Sequence, residues 1–555
     1  MDENLRSAII KVPNGLRCLL EWISSAILMS YQQRLQPRRR SWDSETSSSP
    51  NELVSTSGST HGSSSRHTVS DLGSVSDESL DHCLNTMGDL EDEPDKIEMP
   101  SPPPSQFISH LLENSSMSTQ ELMKPYLSYE RFLRKEFAKV RRLDSPIPID
   151  HLDNLVPVFA DPRIHTSRID RDNKKRRRKY MMKLPSKIVG DHGSLAITPT
   201  LEEYRERFDA FTFGTLAGLA DIPNIVVGGS AALLPLLPRR NDVRGVPEPS
   251  TVARPWETYY QHVAKSSDVD IFMYGIDKEK AIDLIYRIER EIRNIQGLKP
   301  GTGLSLRSEH AITFIAPKWP FRHIQIILRL YKSLSEILTG FDVDCSCVAF
   351  DGKQVYSTPR GVAAIATRTN IIDLTRRSPS YENRLWKYRQ HNFDVYWEHL
   401  RRDLIDVEVT GDDRNVKGFK GLARLLFSEE TLRLGLGTSY LGTYWFTRAL
   451  MRIGDSNDAS PSAPSGYATF DVPYGQHFDA EWIREYVRSR TDEAFFGTIE
   501  EVINGLNAVE EGKEFMARKL SFIEDDPGRQ MIGSTHPLDA DDWTTQAYKS
   551  PSNEE

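Results

Sequence analysis

Seven residues in the middle of the chain, Asn224-Ile-Val-Val-Gly-Gly-Ser230, restrict its fold more than any other stretch. Ile225, Val226 and Val227 read as a short buried strand, and the paired glycines end it in a turn. Ala231 to Leu237 then reads as the start of a helix, closed by Pro238. Such a handover, followed by further alternation of helices and strands, predicts an α/β or α+β domain built on a mixed sheet with flanking helices. The turn also has chemical potential. Glycine lets backbone N–H groups approach a phosphate closely, and a helix N-terminus adds a favourable dipole. Gly228, Gly229 and Ser230, whose hydroxyl is a further donor, are therefore candidate nucleotide-binding residues. A plain strand-to-helix turn would read the same way.

A second strand is expected from Asp268 to Tyr274. Strand residues two apart share a face, so Asp268 and Asp270 aim two carboxylates one way while Val269 faces the core. Paired carboxylates on a rigid strand suit Mg²⁺ or Mn²⁺ as hard-oxygen ligands. Two such ions roughly 3.5–4 Å apart can activate an attacking hydroxyl and neutralise a leaving pyrophosphate. A third carboxylate is sought on an expected strand from Phe341 to Phe350, where Asp342 and Asp344 would share a face opposite Val343 and Cys345. The candidate catalytic set is thus Asp268, Asp270, Asp342 and Asp344, with Asp268, Asp270 and Asp342 as metal ligands. Positive groups against a triphosphate are sought in Arg329, Arg376, Arg377, Arg384 and Lys387. Surface basicity accounts for each of these equally well.

The flanking pattern fills in the domain. Apolar residues at near-helical spacing predict helices over 200–220 and 278–295, and strands are expected at 304–306, 311–316 and 323–330. A short helix at 333–338 precedes the acidic strand, and Asp351-Gly352 turns it into a hairpin with 354–357. Residues 239–265 read as a polar, Pro-rich loop. The domain is bounded at 198–380, preceded by a helical and extended lead-in at 119–197. A helical C-terminal lobe is expected at 381–522. Residues 1–118 read as a mostly disordered arm containing a short amphipathic helix, and 523–555 as a disordered acidic tail.

Charge and cysteine usage narrow the setting. A formal net charge of −9 argues against wholesale coating of nucleic acid, yet Lys174 to Lys179 reads KKRRRK. A solvated loop, a nuclear-import address and a nucleic-acid patch all fit that run. Four cysteines, too scattered for a disulfide framework, predict reduced thiols in an intracellular protein, cytoplasmic or nuclear. The apolar stretch at 16–31 is interrupted by Arg17 and Glu21 and falls short of the roughly 20 residues of a membrane span, so no transmembrane segment is expected. Protein partners could be recruited through the disordered arms.

Gly-Gly-Ser after a buried strand, then Asp-Val-Asp-Ile-Phe, then a later acidic strand resembles the nucleotidyltransferase fold of the DNA polymerase β-like superfamily. The run FDVDCSCVAFDGKQVYSTPRG is similar to the acidic strand and hairpin of tRNA CCA-adding enzymes. The blocks NIVVGGSAALL, SSDVDIFMYG, HIQIILRLYKSLSEILTGFDVDC and RRSPSYENRLWKY also resemble a nucleotidyltransferase-like module of fungal and giant-virus proteins, many of which carry ankyrin repeats. The resemblance spans about Thr200 to Arg402. It implies metal-dependent transfer of a nucleoside monophosphate from an NTP to an acceptor hydroxyl on RNA, protein or a small molecule. Many superfamily members carry the third carboxylate on the strand corresponding to 323–330. This chain offers Gln325 there, leaving Asp342 or Asp344 to substitute. A catalytically inactive fold serving as an interaction scaffold is the alternative.

Overall fold

The computed structural model describes residues 98–114, 116–139, 149–165, 174–184, 194–241, 243, 245–264, 267–378, 380–406, 419–433, 472, 475, 478–488, 494–506, 508–509, 516–523, 531–533 and 540–549. The expected helix at 16–31, the serine-rich stretch up to residue 97 and the loop at 454–467 lie outside them. The strands are β1 (Val156–Pro157), β2 (Tyr180–Met181), β3 (Ile225–Gly228), β4 (Val269–Tyr274), β5 (Ser305–Ser308), β6 (Ala311–Phe314), β7 (Ile324–Tyr331), β8 (Val348–Phe350), β9 (Val355–Ser357), β10 (Thr369–Ile371), β11 (Asp394–Tyr396) and β12 (Ala494–Gly497). Nine of them form one mixed sheet in the order β1-β9-β8-β3-β4-β7-β6-β5-β12, and β10-β11-β2 form a small second sheet.

The main helices follow from the sequence in recognisable ways. In chain order they are α1 (Phe107–Glu113), α2 (Thr119–Lys139), α3 (Leu201–Thr212), α4 (Ser230–Leu236), α5 (Pro255–Val263), α6 (Lys278–Ile295), α7 (Leu334–Thr339), α8 (Pro359–Thr367), α9 (Tyr381–Gln390) and α10 (Gly421–Arg433). Thr200 caps α3 by accepting from the Glu203 N–H, and Asp277 caps α6 by accepting from the Lys280 N–H. Along α6, Ala281, Ile285, Ile288 and Ile292 recur every three or four residues and bury one face. Burying each isoleucine is worth about 1.5–3 kcal/mol. On β7, Ile324, Ile326, Leu328 and Leu330 are buried in strict alternation, which fixes which way Gln325 and Arg329 point.

The central strands β3 and β4 run antiparallel, and β4 and β7 run parallel. In register, Gly228 lies opposite Asp270, and Asp270 lies opposite Gln325 on its other side. Parallel neighbours need a crossover, and α6 with β5 and β6 supplies it.

Four expectations need correction. The 239–265 segment is not all loop: α5 forms within it, and its Trp256 and Tyr259 stack with Arg207 and Arg239. The expected strand 341–350 is broken, because Asp344–Ser346 forms a 3₁₀ turn and only Val348–Phe350 is strand. The region read as a helical lobe contributes β11, which carries Tyr396, and β12, which extends the large sheet beside β5. Finally, parts of both segments read as disordered are packed. Helix α1 buries Phe107 and Leu111, and Ala540–Thr544 forms a helix whose Trp543 is 1% exposed. Trp543 packs against Trp397 with ring centroids 6.0 Å apart, an apolar contact that a composition argument does not register.

Helix α2 joins the core through a buried ionic cluster. Glu130 accepts from Arg360 Nε at 2.7 Å and from Arg376 Nη2 at 2.8 Å, and Arg360 also donates to Asp344 at 3.0 Å. Burial works to raise the Glu130 pKa, but the adjacent Arg360 and Arg376 charges outweigh it and hold the carboxyl below its ordinary range. Removing one partner of such a group strands the others. Glu130→Gln is expected to cost about 3–5 kcal/mol in urea unfolding. Neutralising Glu136 in its exposed pair with Lys139 should cost under about 1 kcal/mol. Equal losses for the two would contradict the assigned role of the cluster.

Candidate functional site

The turn after β3 has the conformation glycine permits. Gly229 adopts φ +68°, ψ −139°, a backbone region that other residues enter only with strain, and nothing lies within 4 Å of where a Cβ would stand. Gly228 differs in kind: an added Cβ would meet the Phe272 ring at 2.9 Å and the Phe341 ring at 3.1 Å. Gly228 therefore serves close packing behind the turn, while Gly229 shapes it. Ser230 opens α4 and is 5% exposed, and its Oγ accepts from Lys387 Nζ at 3.2 Å.

Asp270 sits on β4 beside this turn, and Asp268 immediately precedes the strand. Asp270 Oδ1 is buried and has no hydrogen-bond partner. Burial, followed by the neighbouring Asp268 charge, pushes the Asp270 carboxyl up to about 7, against the pull of Lys387 and Arg384. A buried carboxylate oxygen with no donor is costly. Together with its acidic neighbour it forms an electrostatic deficit that a hard divalent cation would fill.

Helix α9 supplies the opposing charge. Arg384 Nη1 donates to Asp342 Oδ1 at 2.9 Å, and Ser378 Oγ donates to Asp342 Oδ2 at 2.8 Å. The Asp342 charge, followed by burial acting the other way, leaves the Arg384 pKa above its ordinary value, with Asp270 contributing in the same direction. Just past the end of α9, burial, then Arg240 and Lys387, push the half-buried His391 imidazole down to about 3. The α9 side of the site is thus electropositive, facing the Asp268–Asp270 side.

The other sequence-derived candidates lie elsewhere. Asp344 is held by Arg360 and by the Ile371 N–H, so it belongs to the buried cluster rather than to a face shared with Asp342. Arg376 is spent on Glu130, Asp373 and the carbonyls of Thr339 and Phe341. Arg377 pairs with Glu382 and Asp542. Arg329 pairs with Glu336 at 3.3 Å, four residues along β7 from Gln325. These three arginines are engaged by carboxylates, and Asp344 by Arg360 and the Ile371 N–H. The reading missed Ser378, which steadies Asp342 and had no local signal in the run Arg376-Arg-Ser-Pro-Ser. Among the described residues, no group of three His, Cys, Asp or Glu side chains is gathered as a metal centre. At the position opposite Asp270 stands Gln325, whose Nε2 donates to Thr313 Oγ1 at 3.4 Å.

The Lys174–Lys179 run is partly structured, as a single helical turn at Lys174–Arg177 leading into β2. No helix among the described residues is long and apolar enough to cross a membrane. Cys345 and Cys347 are buried free thiols.

Residues 202–368 match the family described as Gabija anti-defense 2 family protein. That stretch holds Gly229, Ser230, Asp268, Asp270 and Asp342, whereas Arg384 and Lys387 lie beyond it. An uncharacterised protein of Acanthamoeba polyphaga mimivirus is 24% identical over 347 residues, covering 49% of this chain and 75% of the relative. No solved structure matches the chain.

The raised Asp270 pKa has a thermodynamic consequence in the absence of metal. An unfolded aspartate titrates near about 3.9. The folded state therefore holds the Asp270 proton more tightly, and this contribution to stability is fully present below about pH 4. It is lost as pH rises through about 7. In EDTA, stability should fall between about pH 4 and about pH 7 by on the order of a few kcal/mol, and Asp270→Asn should flatten the profile. An unchanged slope in that variant, read from urea midpoints, would assign the effect to other groups.

Proposed function

We propose that this chain is a divalent-metal-dependent nucleotide-binding protein that transfers a nucleoside monophosphate from an NTP to an acceptor hydroxyl. The observation that carries the reading is the unpartnered, buried Asp270 carboxylate oxygen, set beside Asp268 and across one strand pairing from the Gly228-Gly229-Ser230 turn. The donor set is all oxygen and anionic, which fits Mg²⁺ or Mn²⁺. Asp268 and Asp270 would hold the ion, and when bound it would neutralise charge on the phosphates and their leaving group. The strand order, with β4 antiparallel to β3 on one side and parallel to β7 on the other, supports a polymerase β-like arrangement. Gly229 would let the backbone approach a triphosphate, while Ser230 and Lys387 would bind its oxygens. Asp342 acts as the anchor that positions Arg384 over the acidic pair.

Gln325 favours a second reading. A neutral amide stands opposite Asp270, and it can neither accept a proton from an attacking hydroxyl nor add charge to a metal shell. The site would then bind metal and nucleotide without turnover, as an inactive interaction module. Similarity to a family named for opposing Gabija defence is compatible with binding alone.

Calorimetric titration of the full chain with ATP, GTP, CTP and UTP, with Mg²⁺ and with EDTA, tests the shared premise. Metal-dependent binding of at least one nucleotide is expected, with at least about a tenfold loss in Asp268→Ala plus Asp270→Ala, as removal of hard-oxygen ligands implies. Binding that persists unchanged in the double variant would remove the metal assignment. Pyrophosphate release then separates the two readings. If release is undetectable in the native chain, Gln325→Asp should tighten Mn²⁺ binding by restoring a third carboxylate opposite Asp270. No change in that affinity would mean that residue 325 does not face the ion.

A further inference from the structure

The two cations on α9 do more than face the acidic pair: their positions conflict with the ion the pair would hold. Lys387 Nζ bonds the Ser230 hydroxyl at 3.2 Å, so it occupies the mouth of the glycine turn. Ser230 stands two residues beyond Gly228, which pairs opposite Asp270, so the Lys387 ammonium stands close to the acidic pair. Arg384 cannot swing away freely, because Asp342 holds it at 2.9 Å and Ser378 in turn holds Asp342. A bare divalent ion arriving at Asp268 and Asp270 would have to share the site with the half-buried Lys387, whose repulsion is less screened than that of a surface charge, and with the more exposed Arg384. A triphosphate arriving with the ion reverses the sign of that interaction. Its oxygens attract Lys387 away from Ser230, accept from the Ser230 hydroxyl, and interpose negative charge between α9 and the metal.

We propose that Lys387, backed by Arg384, makes metal binding conditional on the nucleotide: the site excludes the bare cation and admits it as the metal–triphosphate complex. The inference rests on the nucleotide-binding reading and adds an order of assembly to it. Lys387 acts here as a positioning and gating residue. Removing its charge has effects of opposite sign on the two ligands, whereas simple structural damage would weaken both.

The test uses the full chain and Mn²⁺ as probe, with free ion followed by electron paramagnetic resonance, alone and in the presence of each of the four ribonucleoside triphosphates. Native protein should bind bare Mn²⁺ at least about tenfold more weakly than it does with a bound triphosphate, the scale expected when a nearby like charge is replaced by an opposite one. Lys387→Met and Lys387→Gln should tighten bare Mn²⁺ and weaken the Mn²⁺–nucleotide complex. The glutamine variant retains a donor towards Ser230 should the methionine variant fold poorly. Lys387→Arg, which keeps the charge, should still exclude the bare ion. Bare-ion affinity that is unchanged or lower in both neutral variants overturns the inference. Native protein that binds bare Mn²⁺ and Mn²⁺–nucleotide equally well overturns it too, while leaving the nucleotide-binding reading intact. Native protein that binds no nucleotide with or without metal brings down both.

Discussion

The pairing of β3 with β4 governs everything the site can do. Because Gly228 lies opposite Asp270, the end of one strand and the beginning of the other meet at the same edge. Side chains alternate along a strand, so a slip of one residue would drive Asp270 into the core and expose Val269 in its place. Phe272 and Phe341 close on Gly228 and leave no room for a side chain there. The register is therefore protected by packing as well as by hydrogen bonds. Ser230 and the acidic pair meet because of it.

On that frame, charge is arranged in two opposing walls. One wall is the strand edge with Asp268 and Asp270. The other is α9, with Arg384 pinned by Asp342 and Lys387 reaching the Ser230 hydroxyl. A second concentration of charge is separate in purpose. Around Glu130, the arginines Arg360 and Arg376 and the carboxylate of Asp344 pair with one another in the interior and bind α2 to α8 and the two 3₁₀ turns at Asp344–Ser346 and Leu374–Arg376. The two groups draw on neighbouring residues in sequence, Asp342 beside Asp344 and Arg384 soon after Arg376, so local pattern does not separate them.

What was legible in the sequence was what local rules determine. The span of α6 follows from its apolar spacing and its Asp277 cap, and the β3 turn follows from its glycines. The strands around Asp270 appeared close to their expected limits. Asp342 and Asp344 were misread because alternation was assumed through residues that turn instead. Ser346 Oγ bonds the Val343 carbonyl at 2.7 Å, and the chain winds into a 3₁₀ turn that separates the two carboxylates. Arg329, Arg376 and Arg377 look like phosphate ligands in one dimension, because nothing nearby in sequence announces the distant carboxylates that bind them. Trp543 and β12 were missed for the same reason: long-range packing leaves no periodic trace in a short segment.

The ionic cluster also bears on how this protein divides into parts. The segment similar to a named family, 202–368, contains Arg360 and Asp344 but neither Glu130 nor Arg376. Cutting the chain at those limits would remove the Glu130 carboxylate from Arg360 and leave the buried guanidinium with Asp344 and the Phe341 carbonyl. Homology thus outlines a module that electrostatics does not recognise as self-sufficient. The lead-in helix α2 packs as part of the domain it precedes.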